Sequence, residues 1–483
     1  MRMRIQVVVE SEPGDAPIVH EIATLERGPL QPDGLGLTLA EAKDLLRGVQ
    51  ETMVAEQVAA FEAQQECCPD CGRTRRRNGR HAIVSRTLFG KLRLESPRFY
   101  ACPCQDAAPR ASISPLAERL PERTAPELAY LESKFAALMS YGLTVDVLAE
   151  ILPLGEELAK TSVRRRVQRV AERAEGELGD EQFSFIEGCQ RDWDQLPRPD
   201  PPLTVGLDGG YVHACHPRSR TEGCFEVIAG KVLSEEGDPT CFAFVPSLDA
   251  KPKRRLFEVL KSRGLQMNQR VEFLTDGGDT VRELPLYLCP ESEHWLDWFH
   301  VTMRLTVMGQ LAKGLALERV PVGPAGDDGE EEVGRLDVVA LGKQLESLKW
   351  HLWHGNVYRA LQIIEDLECD LDSPAERSER AKKLLKSVSE FHHYIEANRA
   401  FIPNYGDRYR HGERIATSFA ESTVNQVISK RMVKKQQMRW TPRGAHLLLQ
   451  VRTRVLNDDL RATFERWYPG LKPDIEPTRD AAA

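Results

Sequence analysis

Two stretches of this chain, Leu203-Thr-Val-Gly-Leu-Asp208-Gly-Gly and Val271-Glu-Phe-Leu-Thr-Asp276-Gly-Gly, each close a short, mostly apolar run with an aspartate and two glycines. Short apolar runs bounded by turn residues read as interior strands of a covered sheet. A carboxylate at the end of such a strand is costly to bury alone, so each aspartate needs glycine-freed backbone amides or a divalent cation. One Asp-Gly-Gly by itself would read as a turn; two, each directly after a buried strand, favour metal ligation. Between them lie further strand-like runs at 225–233 and 241–245 and an amphipathic helix near 254–262. Strand, strand, strand, helix, strand is an order that sets the first and fourth strands side by side, bringing Asp208 and Asp276 together at one sheet end.

A third carboxylate is expected from a helix lying against that sheet. Phe419, Val424, Val427, Ile428 and Met432 recur at helical spacing, with Glu421 near the head of the run and Asn425 and Gln426 close to it. Glu413 is a nearby acidic alternative. The formal charge of −8 would by itself argue against a nucleic-acid partner, but the charge is segregated: 408–454 holds eleven Lys or Arg against two Glu, while acid gathers at 326–332 and 365–372. Lys430, Arg431, Lys434, Lys435, Arg439 and Arg443 are expected to grip DNA phosphates, and Trp440 among them to stack on a splayed base.

Upstream, Ile5, Val7 and Val9 alternate before a Pro13-Gly14 turn, which reads as a hairpin. Thr38 with Glu41 forms a capping-box pattern for a following helix. Eleven cysteines with no recognisable export signal argue against a disulfide framework. Cys68, Cys71, Cys102 and Cys104 stand apart from the scattered ones. Two thiol pairs separated by β-rich runs and turn signals at Asn78-Gly79 and Gly90-Lys91 make a zinc-ribbon pattern able to hold a structural Zn²⁺, with Cys67 the spare. Arg73, Arg75, Arg76, Arg77 and Arg80 flank the knuckle and put phosphate within the ribbon's reach. Farther on, 126–154 is helical with a break at Tyr141-Gly142. A basic helix capped by Thr161 or Ser162 then buries Val163, Val167 and Val170 and offers Arg164, Arg165, Arg166 and Arg169 to DNA, a helix-turn-helix arrangement. No run of roughly eighteen apolar residues occurs, so no membrane partner is expected and the default location is cytoplasmic, on the nucleoid when bound to DNA.

The blocks Leu-Asp208-Gly-Gly, Thr-Asp276-Gly-Gly, Asp297-Trp-Phe-His300 and Glu421-Ser-Thr-Val-Asn-Gln resemble the DDE transposases of bacterial insertion sequences in the ISKra group, relatives of Mutator-like elements. Together with the segment from Glu421 to Leu456, the resemblance spans nearly the whole chain. It implies a multidomain α+β or α/β protein whose ribonuclease H-like catalytic domain carries an all-helical insertion and follows a zinc ribbon and a helix-turn-helix region. The implied segments are an N-terminal hairpin and helix (1–66), the zinc ribbon (67–106), the helical DNA-binding region (107–196), the first part of the core (203–300), the insertion (301–414), the final core helices (415–470) and a tail (471–483).

The implied activity is cleavage and strand transfer at terminal inverted repeats on double-stranded DNA, by a homodimer or higher oligomer engaging transposon ends and target. Two Mg²⁺ (or Mn²⁺) ions would be held by Asp208, Asp276 and Glu421, with Asp208 bridging them. His300, from the Asp-x-x-His block, would be auxiliary, contacting DNA or orienting the leaving group, against a purely structural role. The alternatives are a non-catalytic or domesticated DNA-binding regulator and a ribonuclease H-like nuclease without strand transfer.

Overall fold

A computed structural model describes residues 1–10, 16–32, 35–104, 111–154, 158–199, 202–215, 223–234, 238–315, 320–325, 331–334, 337–434 and 438–471. The protein is a mixed α and β chain that divides into two compact units, Met1–Arg173 with Asp458–Ala483, and Ala174–Asn457. No described helix is long and apolar enough to cross a membrane.

In the first unit, β1 (Arg2–Val9) and β2 (Ile18–Glu26) pair antiparallel with Ile5, Val7 and Val9 half-buried; the expected Pro13-Gly14 turn lies outside the described residues. α1 (Leu39–Gln65) opens on the expected capping box, with Thr38 accepting from the Glu41 amide and the Glu41 carboxylate from the Thr38 amide. β3 (Arg77–Thr87) and β4 (Gly90–Tyr100) form a hairpin that β5 (Ser112–Ile113) extends. The sequence reading needs correction here: the chain reverses at Leu88-Phe89. Asn78-Gly79 falls in the register shift between Arg77 and Arg80, with Gly79 at φ +81°, a bulge that lets the strand continue.

Helices α2 (Pro115–Arg119), α3 (Pro126–Leu138), α4 (Tyr141–Ile151) and α5 (Lys160–Glu177) follow, and α16 (Leu460–Trp467) joins them from the end of the chain. The break falls just ahead of the expected Tyr141-Gly142, because the Ser140 hydroxyl caps α4 by accepting from the Leu143 amide at 3.1 Å. α5 begins at Lys160, ahead of Thr161 and Ser162, and Val163 and Val167 are buried as expected.

The second unit, after the short α6 (Gln190–Trp193), holds β6 (Leu203–His213), β7 (Cys224–Leu233), β8 (Thr240–Phe244), β9 (Val271–Thr275) and β10 (Ser292–Leu296) in one sheet of order β10-β9-β6-β7-β8. β6, β7 and β8 are antiparallel, whereas β9 and β10 run parallel to β6. α7 (Pro252–Ser262) links β8 to β9, and α8 (Asp279–Arg282) follows β9. Leu203, Val205 and Leu207 alternate onto one face and pack with Leu256 and Leu260 of α7. Gly206, Asp208 and Gly210 take the other face, covered by α14 (Ser418–Val424) and the π-helical stretch Asn425–Val433. α15 (Pro442–Leu456) is almost wholly buried and packs on β8.

α9 (Trp298–Leu315), α10 (Val338–Trp353), α11 (Val357–Arg377), α12 (Glu379–Ala397) and α13 (Tyr405–Arg410) share their own core, built on residues such as Leu348, Leu352, Ile364, Leu384 and Phe391. The expectation of an all-helical block fails at one place. β11 (Val320–Ala325) and β12 (Glu331–Gly334) pair antiparallel between α9 and α10, where Val320, Val322 and Val333 favour extended backbone.

Candidate functional site

The parallel strands set up a row of carboxylates. Leu207 of β6 and Leu296 of β10 both pair with Thr275 of β9, so Asp208, Asp276 and Asp297 follow one another across adjacent strands. β9 and β10 end just before their aspartates, but the expectation that a strand also ends at Asp208 is corrected: β6 continues through Asp208, Gly209 and Gly210 to His213, because β7 keeps pairing with it. Asp208 and Asp297 are buried and Asp276 half-buried. Asp208 Oδ1 accepts from the Gly209 amide at 2.8 Å and Asp276 Oδ1 from the Gly278 amide at 3.0 Å. Gly277, at φ +79°, makes that return possible; a Cβ there would meet Leu296 and Asn398 at 2.6 and 2.7 Å. The Asp276 carbonyl is held in turn by the half-buried Tyr394 hydroxyl at 2.9 Å, a contact from α12.

Burial, with the neighbouring charges of Asp276 and Asp297, pushes the Asp208 carboxyl up to about 6 despite His300 and the Gly209 amide. Asp297 is met differently: it accepts from the Phe299 amide at 2.8 Å, from His300 Nδ1 at 2.9 Å and from the Thr417 hydroxyl. Burial opposes a charge on His300, but the bond to Asp297 and the charges of Asp208 and Asp276 outweigh it and raise its affinity for a proton. Glu226, on β7, is pushed up by burial and by Asp276, against a bond from Thr280. Among the described residues, no Lys or Arg forms an ion pair with Asp208 or Asp276. The row is therefore rich in hard oxygen donors and poor in counter-charge, but no three of its residues form a group with ligand atoms all within 4.8 Å of one another.

The expected third carboxylate lies on the covering helix. A Cβ on Gly206 would strike the Phe419 ring at 2.4 Å, and one on Gly210 would press Val424 and Ile428 at 3.1 Å. These bare positions let α14 lie close over β6 on the face that carries Asp208. Glu421 is exposed on that helix, and its carboxylate does not join Asp208 and Asp276 in a group with all ligand atoms within 4.8 Å of one another. Glu413, the alternative, is engaged by Arg408 at 3.1 Å. Asp297, Thr417, Tyr394 and Glu226 were not singled out as site residues by sequence reasoning. Only Asp297 left a signal there, as the start of the Asp-x-x-His block.

Several expected DNA contacts are corrected. Arg166 is buried and forms a two-pronged ion pair with the fully buried Glu132, both bonds 2.6 Å, so it anchors α5 to α3. Arg164, Arg165 and Arg169 stay exposed. Arg431 is wholly buried with its guanidinium 5.2 Å from the Trp440 ring centre, and Trp440 itself is buried, its backbone bridged to Ala214 and Cys215. Both are core residues, because the π-helical stretch turns Arg431 inward together with Met432. Lys430, Arg439 and Arg443 are exposed, Lys434 bonds Asn425 at 3.0 Å, and Lys435 lies outside the described residues.

In the first unit the four expected cysteines come together: Cys68 and Cys104 sulfurs are 3.5 Å apart, Cys71 and Cys102 3.4 Å, and all four lie within 4.8 Å of one another. Four sulfurs around zinc at tetrahedral corners stand roughly 3.8 Å apart, so the cluster could hold a metal ion with little movement. Bonding from the Asp70 backbone pulls the Cys68 thiol down to about 7, and the neighbouring thiols of Cys71 and Cys102 push Cys104 up. Cys67 is exposed and outside the cluster.

A third group, Glu175, Asp249 and His446, escaped the sequence reading because Glu175 and His446 are 271 positions apart. Its ligand atoms lie close enough to hold a cation, but Arg255 already bonds both carboxylates at 2.8 Å. No family model matches this chain, and no curated protein matches it.

Proposed function

We propose that this chain is a DNA transposase of the DDE type, with a ribonuclease H-like second unit as its catalytic core. The observation that carries the reading is the register that sets Asp208, midway along β6, beside Asp276 at the end of the parallel strand β9, within a sheet of order β10-β9-β6-β7-β8. The zinc-ribbon reading of the Cys68, Cys71, Cys102 and Cys104 cluster and the exposed Arg164, Arg165 and Arg169 of α5 support DNA recognition by the first unit.

Asp208 and Asp276, with Glu421 from the helix over β6, would hold the catalytic cations. Mg²⁺ (or Mn²⁺) bound there supplies activation of an attacking oxygen and charge stabilisation of the leaving oxygen. Asp297 fixes His300 through Nδ1, and the protonated ring offers positive charge to a phosphate beside the pair. Water attacks the phosphorus at the transposon end, the bond to the bridging 3′ oxygen breaks, and the freed 3′-hydroxyl attacks a target phosphorus, breaking its bond to the target's own 3′ oxygen, which leaves as a hydroxyl. No covalent protein intermediate enters. The exposed Lys430, Arg439 and Arg443 lie on the strand-bearing unit and contact backbone phosphates.

A DNA-binding regulator is the second reading, favoured by the exposure of Glu421. Incubation of the full chain with a duplex bearing the element's own ends separates the two: Mg²⁺-dependent nicking lost in Asp208→Asn, Asp276→Asn and Glu421→Gln supports the transposase. Tight binding without nicking by the unaltered protein overturns it in favour of the regulator, and normal nicking by Glu421→Gln removes Glu421 from the site.

A further inference from the structure

Beside the thiol cluster lies a concavity of about 570 Å³ lined by Arg73, Thr74, Arg75, Arg76, Tyr100 and Cys102. The knuckle itself sets these residues. Gly72, at φ +70°, turns the chain so that the Cys68 amide bonds the Arg73 carbonyl at 2.9 Å, and the Tyr100 amide bonds the Arg76 carbonyl at 2.9 Å. The five arginines that flank the knuckle divide into two kinds. Arg77 is bonded by Glu66 and Arg80 by Glu62, so their charge is met. Arg73 and Arg76 are exposed with no acidic partner among the described residues, and the Arg76 guanidinium stands 5.5 Å from the Tyr100 ring centre.

Arg75 is the buried member. It is 8% exposed, and its Nη1 is held by the Gln65 carbonyl at 3.2 Å. Its Nε, also buried, has no hydrogen-bond partner. A buried guanidinium N–H left unmet is costly, and the side chain lines a polar cavity between two unpaired arginines. The Nε is closed off from the cavity, so Arg75 adds positive charge beneath Arg73 and Arg76 rather than a direct contact.

We infer that this concavity is a phosphodiester-binding site, in which the exposed Arg73 and Arg76 hold backbone phosphates of duplex DNA over the buried charge of Arg75, while Arg77 and Arg80 take no part. The inference deepens the DNA-binding reading above and rests on it. Binding here carries no sequence information; it fixes the register of the first unit on the duplex.

The test uses the zinc-loaded full chain and a fluorescein-labelled duplex of arbitrary sequence, with affinity followed across salt concentration. Each lost phosphate contact lowers the slope of log K against log salt by about 0.9. Arg73→Ala with Arg76→Ala should lower it by roughly 2 while zinc content is unchanged, and Arg77→Ala with Arg80→Ala should leave it unchanged. An unchanged slope in the first pair, or an equal fall in both, overturns the site even where the protein still cleaves DNA. Binding with the expected slopes but no cleavage overturns the transposase reading and supports the site, and no binding by the unaltered chain overturns both.

Discussion

The carboxylate row at Asp208, Asp276 and Asp297 and the cluster of Glu175, Asp249 and His446 use nearly the same residue types in one unit, yet their electrostatics run in opposite directions. In the row, burial and like charge push Asp208 up to about 6. In the cluster, burial also pushes Glu175 up, but bonds from His446 and Arg255 outweigh it and hold the carboxyl at about 2. Placing one guanidinium decides the difference. Arg255, itself 6% exposed, reaches both carboxylates and Gln450. The cluster carries its own counter-charge in Arg255, whereas Asp208 and Asp276 have no Lys or Arg ion-pair partner among the described residues.

The largest expected effect comes from breaking the row: Asp208→Asn or Asp276→Asn should lower Mg²⁺-dependent cleavage by well over ~100-fold, since even indirect partners of metal ligands cost ~10–100-fold. Asp249→Asn should leave cleavage within a few-fold of normal in the protein that remains folded. Removing the guanidinium should convert one site toward the other. Arg255→Met leaves buried carboxylates uncompensated and should destabilise by about 3–5 kcal/mol in urea denaturation. Mn²⁺ should then raise the melting temperature of that variant and not of the unaltered chain; equal protection of both would mean that Arg255 does not set the difference.

A smaller effect is expected at His300→Asn. Loss of the proton held beside the row should cut cleavage by about 10–100-fold with DNA affinity little changed, measured as separate rate and binding constants. The smallest is a pH effect. The Glu175 carboxyl is depressed in the folded state, so its contribution is present above about pH 4.5 and fades as pH falls toward about 2. The stability gap between the unaltered chain and Glu175→Gln should therefore narrow across that window; a gap constant with pH would show that the carboxylate's charge is not what stabilises.

Patterns local in sequence were legible. The apolar runs ending at Asp208 and Asp276 carried the strand order and the expectation of adjacency, and the Thr38 capping box and the four clustered cysteines could be named from spacing. What was hidden depended on distant partners. A run of arginines reads as an exposed basic face, and nothing near Arg166 announces that Glu132, 34 positions away, draws it inside. Arg431 and Trp440 read as a DNA grip from the run of cations around them, whereas the wider turn of Asn425–Val433 faces Arg431 to the core, where its guanidinium meets the buried Trp440 ring. The pairing of Arg255 with Glu175 and Asp249 has no sequence period at all.

The bare backbone at Gly206 and Gly210 also bears on timing. The helix seated there is made only after the whole helical block has been synthesised, and the strand beneath it far earlier. If Glu421 completes the site, a nascent or truncated chain holds at most a partial set of ligands. On the proposed reading, cleavage would then wait until Glu421 has been made and its helix seated over β6.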